Sequence, residues 1–304
     1  MAITRRHRER LLAWAVAATL GMAGPARADC LGMQVHAHRG VDSAPENSLE
    51  ALRAGYQGGY DGVETDMQLL ADGTWVIHHD ALTGRVVQTS APQAVRSLGS
   101  ADWRMARMRL RGTVTADAPP FVADVARLAS AYPGQALNAE IKTLASCRDI
   151  AAVAAQLRAE VGHGNWFMTS VAEANLRCAR QADRDGYLGL IVLDPRNAEA
   201  LGENRYTRAF AQRAQAPRLD RAWLARMQAQ IGMPMGVHVD ARTLDANTQL
   251  LADAAAMRMP VYVYAVAGDA ALAASLKGAR QRTGLWPTGA IIDGAAQGFC
   301  ARLR

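Results

Sequence analysis

Several features that would place this chain in other classes of protein are missing from its sequence. Beyond the N-terminal segment, no apolar run reaches the roughly 20 residues that a helix needs to span a bilayer. No Ser-, Gly- or Pro-rich linker or low-complexity tract divides the chain, and no basic stripe with interleaved aromatic residues indicates binding of nucleic acid. We therefore expect one large domain, with no nucleic-acid partner and no stable insertion in a membrane.

The N-terminus has the three parts of a secretory signal peptide. A basic head, TRRHRER, precedes the 14-residue apolar stretch LLAWAVAATLGMAG, and the small residues Ala26 and Ala28 follow at the position that signal peptidase reads. Fourteen apolar residues are too few for a membrane anchor. We expect residues 1–28 to be removed, the mature domain to span 29–304, and the protein to be periplasmic or secreted.

Removal of this segment changes the charge of the chain. Residues 1–28 contain five arginines and one glutamate, so they carry +4 of the formal net charge of +6 and leave about +2 on the mature chain. The alkaline pI of about 9.4 therefore belongs largely to the export signal. It gives no support to a nucleic-acid partner.

The mature chain alternates short β-rich runs with longer alanine-rich amphipathic segments. The runs are MQVHAH, YDGVETDMQ, TWVIHHD, ALNAEIK, NWFMTS, LGLIVL, MGVHVD, PVYVYAV and GAIID, and the expected helices include TLDANTQLLADAAAMR. Such alternation predicts parallel strands with helical crossovers, in either a (β/α)8 barrel or an open doubly wound sheet. Eight or nine strands in roughly 250 residues match the barrel, and no Gly-rich dinucleotide fingerprint follows the first strand. We expect an α/β fold, a single-domain (β/α)8 TIM barrel.

Charged residues lie at the ends of four consecutive candidate strands. They are His38-Arg39, Glu64 with Asp66, His79-Asp80, and Glu140 with Lys142. Because successive strand side chains point to opposite faces, Glu64 and Asp66 share one face of their strand. The C-terminal strand ends of a barrel enzyme surround its active site, so we expect these side chains in one pocket.

These residue types suit the hydrolysis of a phosphodiester. The carboxylates can form an oxygen cage for a hard cation such as Ca²⁺ or Mg²⁺. Arginine and lysine suit a phosphate oxyanion, and two histidines suit acid–base catalysis near neutral pH. A single Glu-x-Asp is usually a solvated strand face and a single His-Arg-Gly is usually a turn, so the order and spacing of all the segments carry the prediction.

In that order the segments resemble the motifs of the glycerophosphodiester phosphodiesterase family. The family pattern is His-Arg-Gly after an apolar strand, a Pro-Glu-Asn-Thr turn, Glu-x-Asp, a later His-Asp, and an apolar-Glu-Ile-Lys strand. Here the segments read HAHRG, APENS, DGVETDMQLLADGTWVIHHD and NAEIK, and they cover residues 36–142 in unbroken order. The resemblance implies a TIM barrel and metal-dependent hydrolysis of glycerophosphodiesters to glycerol 3-phosphate and an alcohol.

The resemblance also implies roles for individual residues. His38 and His79 look like the acid–base pair, one taking a proton from the attacking glycerol hydroxyl and the other giving a proton to the leaving alcohol. The other implied roles are phosphate contacts for Arg39 and Lys142, Ca²⁺ or Mg²⁺ ligands for Glu64, Asp66 and Glu140, and support of the site for Glu46 and Asn47.

Departures from the family pattern fall where the organic end of the substrate is expected. The usual Trp-Thr-Val-Asn reads Tyr264-Ala265-Val266-Ala267, and the usual Ser-Ser-Phe reads Thr169-Ser170-Val171. We expect Tyr264 and His238 to line a pocket for a small phosphodiester, whose alcohol group the sequence leaves open.

Two other functions are compatible with the sequence. A related barrel phospholipase or lyase would stop at a cyclic phosphate product, and its action on membrane lipids would call for exposed apolar loops. A non-catalytic phosphodiester-binding protein would have no need of both histidines and all three acids.

The four cysteines favour disulfides over a zinc site. No pair has the Cys-x-x-Cys spacing, and an even number in an exported chain is typical of disulfides. Cys30 precedes the first strand and Cys300 follows the last, so closure of the barrel brings them together. Cys147 follows the Glu140 strand and Cys178 lies in a later helix, so the two are plausible neighbours. Of the three possible pairings, we predict Cys30–Cys300 and Cys147–Cys178.

Overall fold

A computed structural model describes residues 27–198, 202, 204–265 and 268–304. The predicted signal peptide falls outside the described residues except at its last two positions, and Val266 and Ala267 also lie outside them. Eight parallel strands close into a barrel because β1 pairs with both β2 and β12. In barrel order they are β1 (Gln34–Ala37), β2 (Gly62–Leu69), β7 (Ala136–Ile141), β8 (Trp166–Ser170), β9 (Leu188–Val192), β10 (Met235–Asp240), β11 (Val261–Tyr264) and β12 (Gly289–Ile292). The TIM-barrel prediction is confirmed.

Helices connect successive strands and cover the outside of the barrel. They are α1 (Leu49–Gln57), α2 (Ser100–Met105), α3 (Val122–Ser130), α4 (Cys147–Val161), α5 (Glu173–Ala182), α6 (Arg205–Ala211), α7 (Arg221–Ile231), α8 (Ala241–Ala246), α9 (Leu250–Ala256), α10 (Asp269–Thr283) and α11 (Ala296–Leu303). In α3, Val122, Val125, Ala126 and Ala129 are buried, which is the spacing of one helical face on a core. No helix within the described residues is both long and apolar enough to cross a bilayer.

An insertion between β2 and α3 carries the remaining strands, and one strand prediction needs correction there. The run TWVIHHD forms β3 (Trp75–Ile77), which pairs antiparallel with the end of β2 and lies outside the barrel. The reason is the length of β2: its last three residues pair with β3 in a hairpin, and the last two, Gln68 and Leu69, lie beyond its pairing with β7. The strands β4 (Val87–Gln88), β5 (Arg107–Leu110) and β6 (Thr113–Val114) form a small antiparallel sheet. A separate apolar cluster around Trp103 supports the insertion.

One helical prediction was also wrong. The segment TLDANTQLLADAAAMR does not form a single helix but contributes to α8 and α9, which are separated at Asn247. The Asn247 side chain accepts a hydrogen bond from the Leu219 N–H (2.8 Å) and donates one to the Pro217 carbonyl (2.9 Å). The side-chain amide of Asn247 therefore binds the loop before α7. Because Asn247 makes this contact, α8 ends there and α9 begins three residues later.

Both predicted disulfides are present. Cys30 bonds to Cys300, which joins the segment before β1 to α11, and Cys147 bonds to Cys178, which joins α4 to α5. Disulfides persist in oxidising compartments, so these two bonds indicate an oxidising environment for the protein.

The barrel interior beneath the site is filled by aromatic rings. His238 stacks on Tyr262 with ring centroids 4.7 Å apart, and His36 lies 5.5 Å from the same tyrosine. Gly189 makes room for this filling, since a Cβ there would lie 2.5 Å from His238 Nε2. Burial lowers the pKa of His36 to about 4, and burial together with the neighbouring His36 lowers that of His238 to about 3. Both imidazoles are therefore neutral packing groups at neutral pH.

Candidate active site

A cavity of about 560 Å³ opens at the C-terminal ends of the barrel strands, and we call it the mouth cavity. Its lining is His38, Arg39, Glu64, His79, Asp80, Arg85, Asn138, Glu140, Lys142, Thr169, Ile191, Leu193, Gly202, His238, Tyr264 and Ile291. The structure thus brings into one cavity most of the residues predicted at strand ends. It does so because parallel strands all end at the same rim of the barrel.

Three buried carboxylates form the floor of the charged side of the site. Glu64 and Asp66 project from β2, and Glu140 lies opposite Asp66 on the paired strand β7. One oxygen from each of the three lies within 4.8 Å of the others. Burial, together with the negative charges of Asp66 and Glu140, raises the pKa of Glu64. Burial also raises the pKa of Glu140, although Lys142 opposes this change.

Two cations lie against these carboxylates. Arg39 Nε is 3.4 Å from Asp66 Oδ2, and Lys142 Nζ is 3.1 Å from Glu140 Oε1 and 3.7 Å from Asp66 Oδ1. Burial disfavours the Asp66 carboxylate, but the charges of His79, Lys142 and Arg39 outweigh burial and lower its pKa. Three carboxylates against two cations leave an excess of negative charge in a buried place. A set of hard oxygen donors with that excess fits a divalent cation such as Ca²⁺ or Mg²⁺.

The His-Arg-Gly and Pro-Glu-Asn segments shape the backbone beside this cluster. Arg39 and Asn47 have positive φ angles of 55° and 64°. The turn lets the Arg39 N–H donate to Glu64 Oε2 (3.0 Å), while the Asn47 side chain donates to Asp66 Oδ2 (2.8 Å). Gly40 follows at φ 86°, and a Cβ there would lie 2.4 Å from the Ala51 backbone in α1. Glycine is required at this position because the turn packs directly on that helix.

Each of the two candidate catalytic histidines is held by a carboxylate. His38 Nδ1 lies 2.8 Å from Asp293 Oδ1, and His79 Nδ1 lies 2.8 Å from Asp80 Oδ1. A carboxylate at Nδ1 favours a proton on that nitrogen and orients the ring, so Nε2 is the atom left for proton transfer. Asp293 directly follows β12, and the sequence signal for it was the acid that closes the segment GAIIDG.

Sequence reasoning missed Arg85, which connects the two halves of the charged side. Its Nε donates to Asp80 Oδ2 (2.6 Å), and its Nη1 and Nη2 donate to the two oxygens of Glu46 (2.8 and 2.6 Å). Glu46 in turn accepts a hydrogen bond from Arg39 Nη1 (3.3 Å). Arg85 lies in the insertion, and no local pattern distinguishes it from the other arginines there.

The far side of the mouth cavity contains the two residues predicted for the substrate pocket. Tyr264 and His238 both line it. The Tyr264 hydroxyl donates to the Val192 carbonyl (3.4 Å), and His238 Nε2 lies 3.3 Å from the Tyr187 hydroxyl. His78, next to the candidate catalytic His79, is buried against Trp103 and does not line the cavity.

Comparisons with known proteins bear on the family and the fold. A family model, the Glycerophosphoryl diester phosphodiesterase family, matches residues 38–281. A solved Oleispira antarctica phosphodiesterase, in complex with the product sn-glycerol-3-phosphate, superposes with a TM-score of 0.67 at 21% identity. The match covers 90% of this chain and 97% of that one. A glycerophosphodiester phosphodiesterase from Parabacteroides distasonis gives 0.61 at 16% identity over 89% of this chain and 97% of that one.

A curated relative matches over a short segment. An uncharacterized protein of Bacillus subtilis, YqiK, is 42% identical over 53 residues, which are 17% of this chain and 22% of that protein. The matched part is thus about a fifth of the length of the curated relative. The structural matches, at low identity, concern the fold.

Proposed function

The chain belongs to the glycerophosphoryl diester phosphodiesterase family, a family of enzymes, and from this membership we propose that it hydrolyses glycerophosphodiesters to glycerol 3-phosphate and an alcohol. The observation that supports this most is the composition of the mouth cavity. Three buried carboxylates, two cations and two carboxylate-held histidines meet at one rim of the barrel. This is the set of groups that a phosphodiester reaction needs.

Glu64, Asp66 and Glu140 would hold a divalent cation, Ca²⁺ or Mg²⁺. When bound, such an ion supplies positive charge that polarises a phosphoryl oxygen. The protein favours a cation at this site. Burial and mutual repulsion destabilise the ionised forms of Glu64 and Glu140 and raise their pKa values, and a bound positive charge would relieve that repulsion.

Arg39 and Lys142 would contact the phosphate of the substrate. Both line the mouth cavity, and both are anchored on acids of the floor, so their positive charges are kept in place before the substrate arrives. A planar guanidinium can bind two oxygens of one phosphate, and lysine supplies a point charge.

The two histidines would move the protons. As the glycerol hydroxyl next to the phosphate attacks phosphorus, one imidazole accepts the hydroxyl proton at Nε2. The other imidazole donates a proton to the alcohol oxygen as its bond to phosphorus breaks. Water then opens the cyclic phosphate with the two roles reversed. Asp293 and Asp80 keep both rings oriented throughout.

The location of this reaction is proposed to be the periplasm or the outside of the cell. The signal-peptide pattern of residues 1–28 and the two disulfides both support this location. Mass spectrometry of the exported protein should show a mature N-terminus at Asp29, and an intact Met1 would contradict the prediction.

Activity assays on the purified mature protein test the function. We expect it to release glycerol phosphate from glycerophosphocholine, glycerophosphoethanolamine or the methyl ester glycerophosphomethanol, as followed by phosphorus NMR. A chelator should abolish turnover, and Ca²⁺ or Mg²⁺ should restore it. A cyclic phosphate as the final product would support the lyase alternative. Binding of the diesters without turnover would support the binding-protein alternative.

Substitutions assign the roles within the site. His38→Ala and His79→Ala should each lower kcat by roughly 10²-fold or more, and Glu64→Gln should prevent metal ions from restoring activity. His163, an exposed loop histidine, is the matched control, and His163→Ala should be as active as the unmodified protein. Full activity in both site variants would contradict the acid–base mechanism.

A further inference from the structure

The mouth cavity has two walls of opposite character. The charged wall belongs to β1, β2, β7 and the loop after β3, and it carries every acid, arginine and lysine among the described lining residues. The strands β9, β11 and β12 contribute an apolar wall, which we define as Ile191, Leu193, Tyr264 and Ile291. In barrel order β9 lies opposite β1 and β11 lies opposite β7, while β12 closes the ring beside β1. A diester held at the charged wall can therefore extend its free end toward the apolar wall.

The apolar wall offers little to a cationic alcohol such as choline or ethanolamine. The acids among the described lining residues are Glu64, Asp80 and Glu140, and all three lie on the charged wall. Asp80 and Glu140 already pair with cations of the protein, and Glu64 belongs to the carboxylate cluster. Tyr264 is the only Phe, Tyr or Trp among the described lining residues, whereas quaternary ammonium groups are recognised by several aromatic rings together.

The two polar side chains on this side, Tyr264 and His238, are largely committed within the protein, although His238 Nδ1 is buried without a hydrogen-bond partner. The Tyr264 hydroxyl donates to the Val192 carbonyl, so its ring is the part left to face the cavity. His238 is buried, and one of its ring nitrogens lies against the Tyr187 hydroxyl. What this side presents to a substrate is therefore mainly hydrocarbon.

Further along the chain from the apolar wall, exposed apolar residues recur. Leu193 is partly exposed just beyond β9, and the next described lining residue along the chain, Gly202, lies two residues before the N-cap of α6. Helix α6 buries none of its residues, and it exposes Tyr206 (69%) and Phe210 (58%) at a spacing that places both on one face. Single exposed apolar residues are common, but these follow the wall of a catalytic cavity.

We propose that the apolar wall binds an aliphatic chain carried by the substrate, so that the preferred substrates are glycerophosphodiesters bearing an uncharged alkyl or acyl chain. This inference rests on the proposed function and adds the class of substrate. The cavity of about 560 Å³ lies within the range of pockets that enclose drug-sized ligands, so it has room for a chain beside a glycerol phosphate.

Two series of substrates of increasing aliphatic chain length test the inference, one with the aliphatic chain on the alcohol and one with it on the glycerol. One series is the methyl, butyl and octyl esters of glycerophosphate. The other is glycerophosphomethanol acylated with butanoyl or octanoyl groups at the terminal glycerol hydroxyl, which leaves the hydroxyl next to the phosphate free to attack. All are used below their micelle concentrations. In the series whose aliphatic chain contacts the apolar wall, we expect kcat/KM to rise roughly two- to fourfold for each methylene in contact. Glycerophosphocholine should be slower than the uncharged butyl ester.

Substitutions in the protein show where the aliphatic chain of the substrate binds. Leu193→Ser should lower kcat/KM for the octyl or octanoyl substrate more than for the methyl ester, whose shorter chain makes less contact with the wall, and so flatten the dependence on chain length. Phe210→Ser should affect only the octyl or octanoyl substrates. The control is Leu144→Ser. Leu144 is an exposed leucine (71%) beyond β7 on the charged side, and its replacement should change neither the dependence on chain length nor the turnover of the methyl ester. All three positions are on the surface, and thermal unfolding checks that each variant is folded.

The outcomes separate this inference from the proposed function. Turnover of the methyl ester with no rise in either series, or with glycerophosphocholine the fastest substrate, would overturn the chain-binding inference and leave the hydrolysis intact. If no diester is hydrolysed, the proposed function fails. The affinities of the protein for ethyl, butyl and octyl phosphate then test whether the apolar wall binds an aliphatic chain. A chain-length dependence of that affinity that is lost in Leu193→Ser supports the inference, and a flat series refutes it.

Discussion

Arg85 shows how one side chain can connect two parts of a site that the chain builds separately. Its guanidinium bonds to Asp80, the partner of His79, and to Glu46, the partner of Arg39. Burial opposes the Asp80 carboxylate, but hydrogen bonds from His79 and Arg85 outweigh it and lower the pKa of Asp80. The acid therefore stays ionised at neutral pH. Arg85 acts on the reaction through these partners, as a positioning residue.

We predict that Arg85→Met lowers kcat/KM by roughly 10- to 100-fold, the usual cost of removing a group that orients the residues of a site. The reason is that Asp80 and Glu46 both lose their shared partner, so the orientations of His79 and Arg39 relax. Steady-state kinetics with glycerophosphomethanol measure the loss, and Arg85→Lys should restore part of it. Arg109→Met is the control, because Arg109 in the same insertion bonds only to the carbonyls of Gly84 and Gly112. Equal losses in both methionine variants would indicate a general effect on the insertion.

At the scale of secondary-structure elements, the two disulfides constrain the barrel to different extents. Cys30–Cys300 closes a segment with a sequence separation of 270 between the start of the barrel and its last helix. Cys147–Cys178 has a separation of 31 and joins the adjacent helices α4 and α5. In the chain-entropy model a longer closed loop removes more conformational freedom from the unfolded state.

Replacing both cysteines of a pair by serine should therefore destabilise the protein by different amounts. We expect the free energy of unfolding to fall by roughly 6 kcal/mol without Cys30–Cys300 and by roughly 4 kcal/mol without Cys147–Cys178. Urea denaturation of the two double variants measures both values. A larger loss for the shorter loop would show that packing between α4 and α5, and not loop closure, determines the contribution.

At the scale of the whole molecule, the neutral histidines inside the barrel link its stability to pH. His36 and His238 have folded-state pKa values of about 4 and about 3, below the value of 6.5 that each would have when exposed. Between the folded and unfolded values, the unfolded chain binds protons that the folded barrel does not. Stability must therefore fall as the pH drops from about 6.5 toward 4, and this contribution is constant above neutrality.

We predict that the free energy of unfolding decreases by roughly 3 kcal/mol for His36 alone as the pH falls across this window. Urea denaturation at pH 7.5, 6, 5 and 4 measures the decrease. In His36→Leu the decrease should be smaller, because an uncharged side chain takes up no proton on unfolding. His163→Ala should keep the original dependence, since that residue is exposed in both states. An identical pH dependence in His36→Leu would refute the link.

The sequence by itself determined the barrel and the charged side of the mouth cavity. The alternation of strands and helices predicts parallel pairing, and parallel strands bring their C-terminal ends together wherever the intervening loops go. His38, Arg39, Glu64 and Glu140 are therefore placed near each other by strand periodicity alone. The same reasoning accounts for the Cys30–Cys300 bond, since a closed barrel joins its first and last elements.

Only the tertiary structure decided which side chains meet from elements without such periodicity. Arg85 reaches Glu46 because the insertion folds back over the rim, and β3 leaves the barrel because β2 is long enough to form a hairpin. The apolar wall has the same origin: Ile191 and Leu193 are ordinary residues of a predicted strand, and it is the closed barrel that brings them to the same cavity as the acids. Periodicity reports which face a residue takes within its own element, whereas contacts between loops and across a barrel depend on the path of the whole chain.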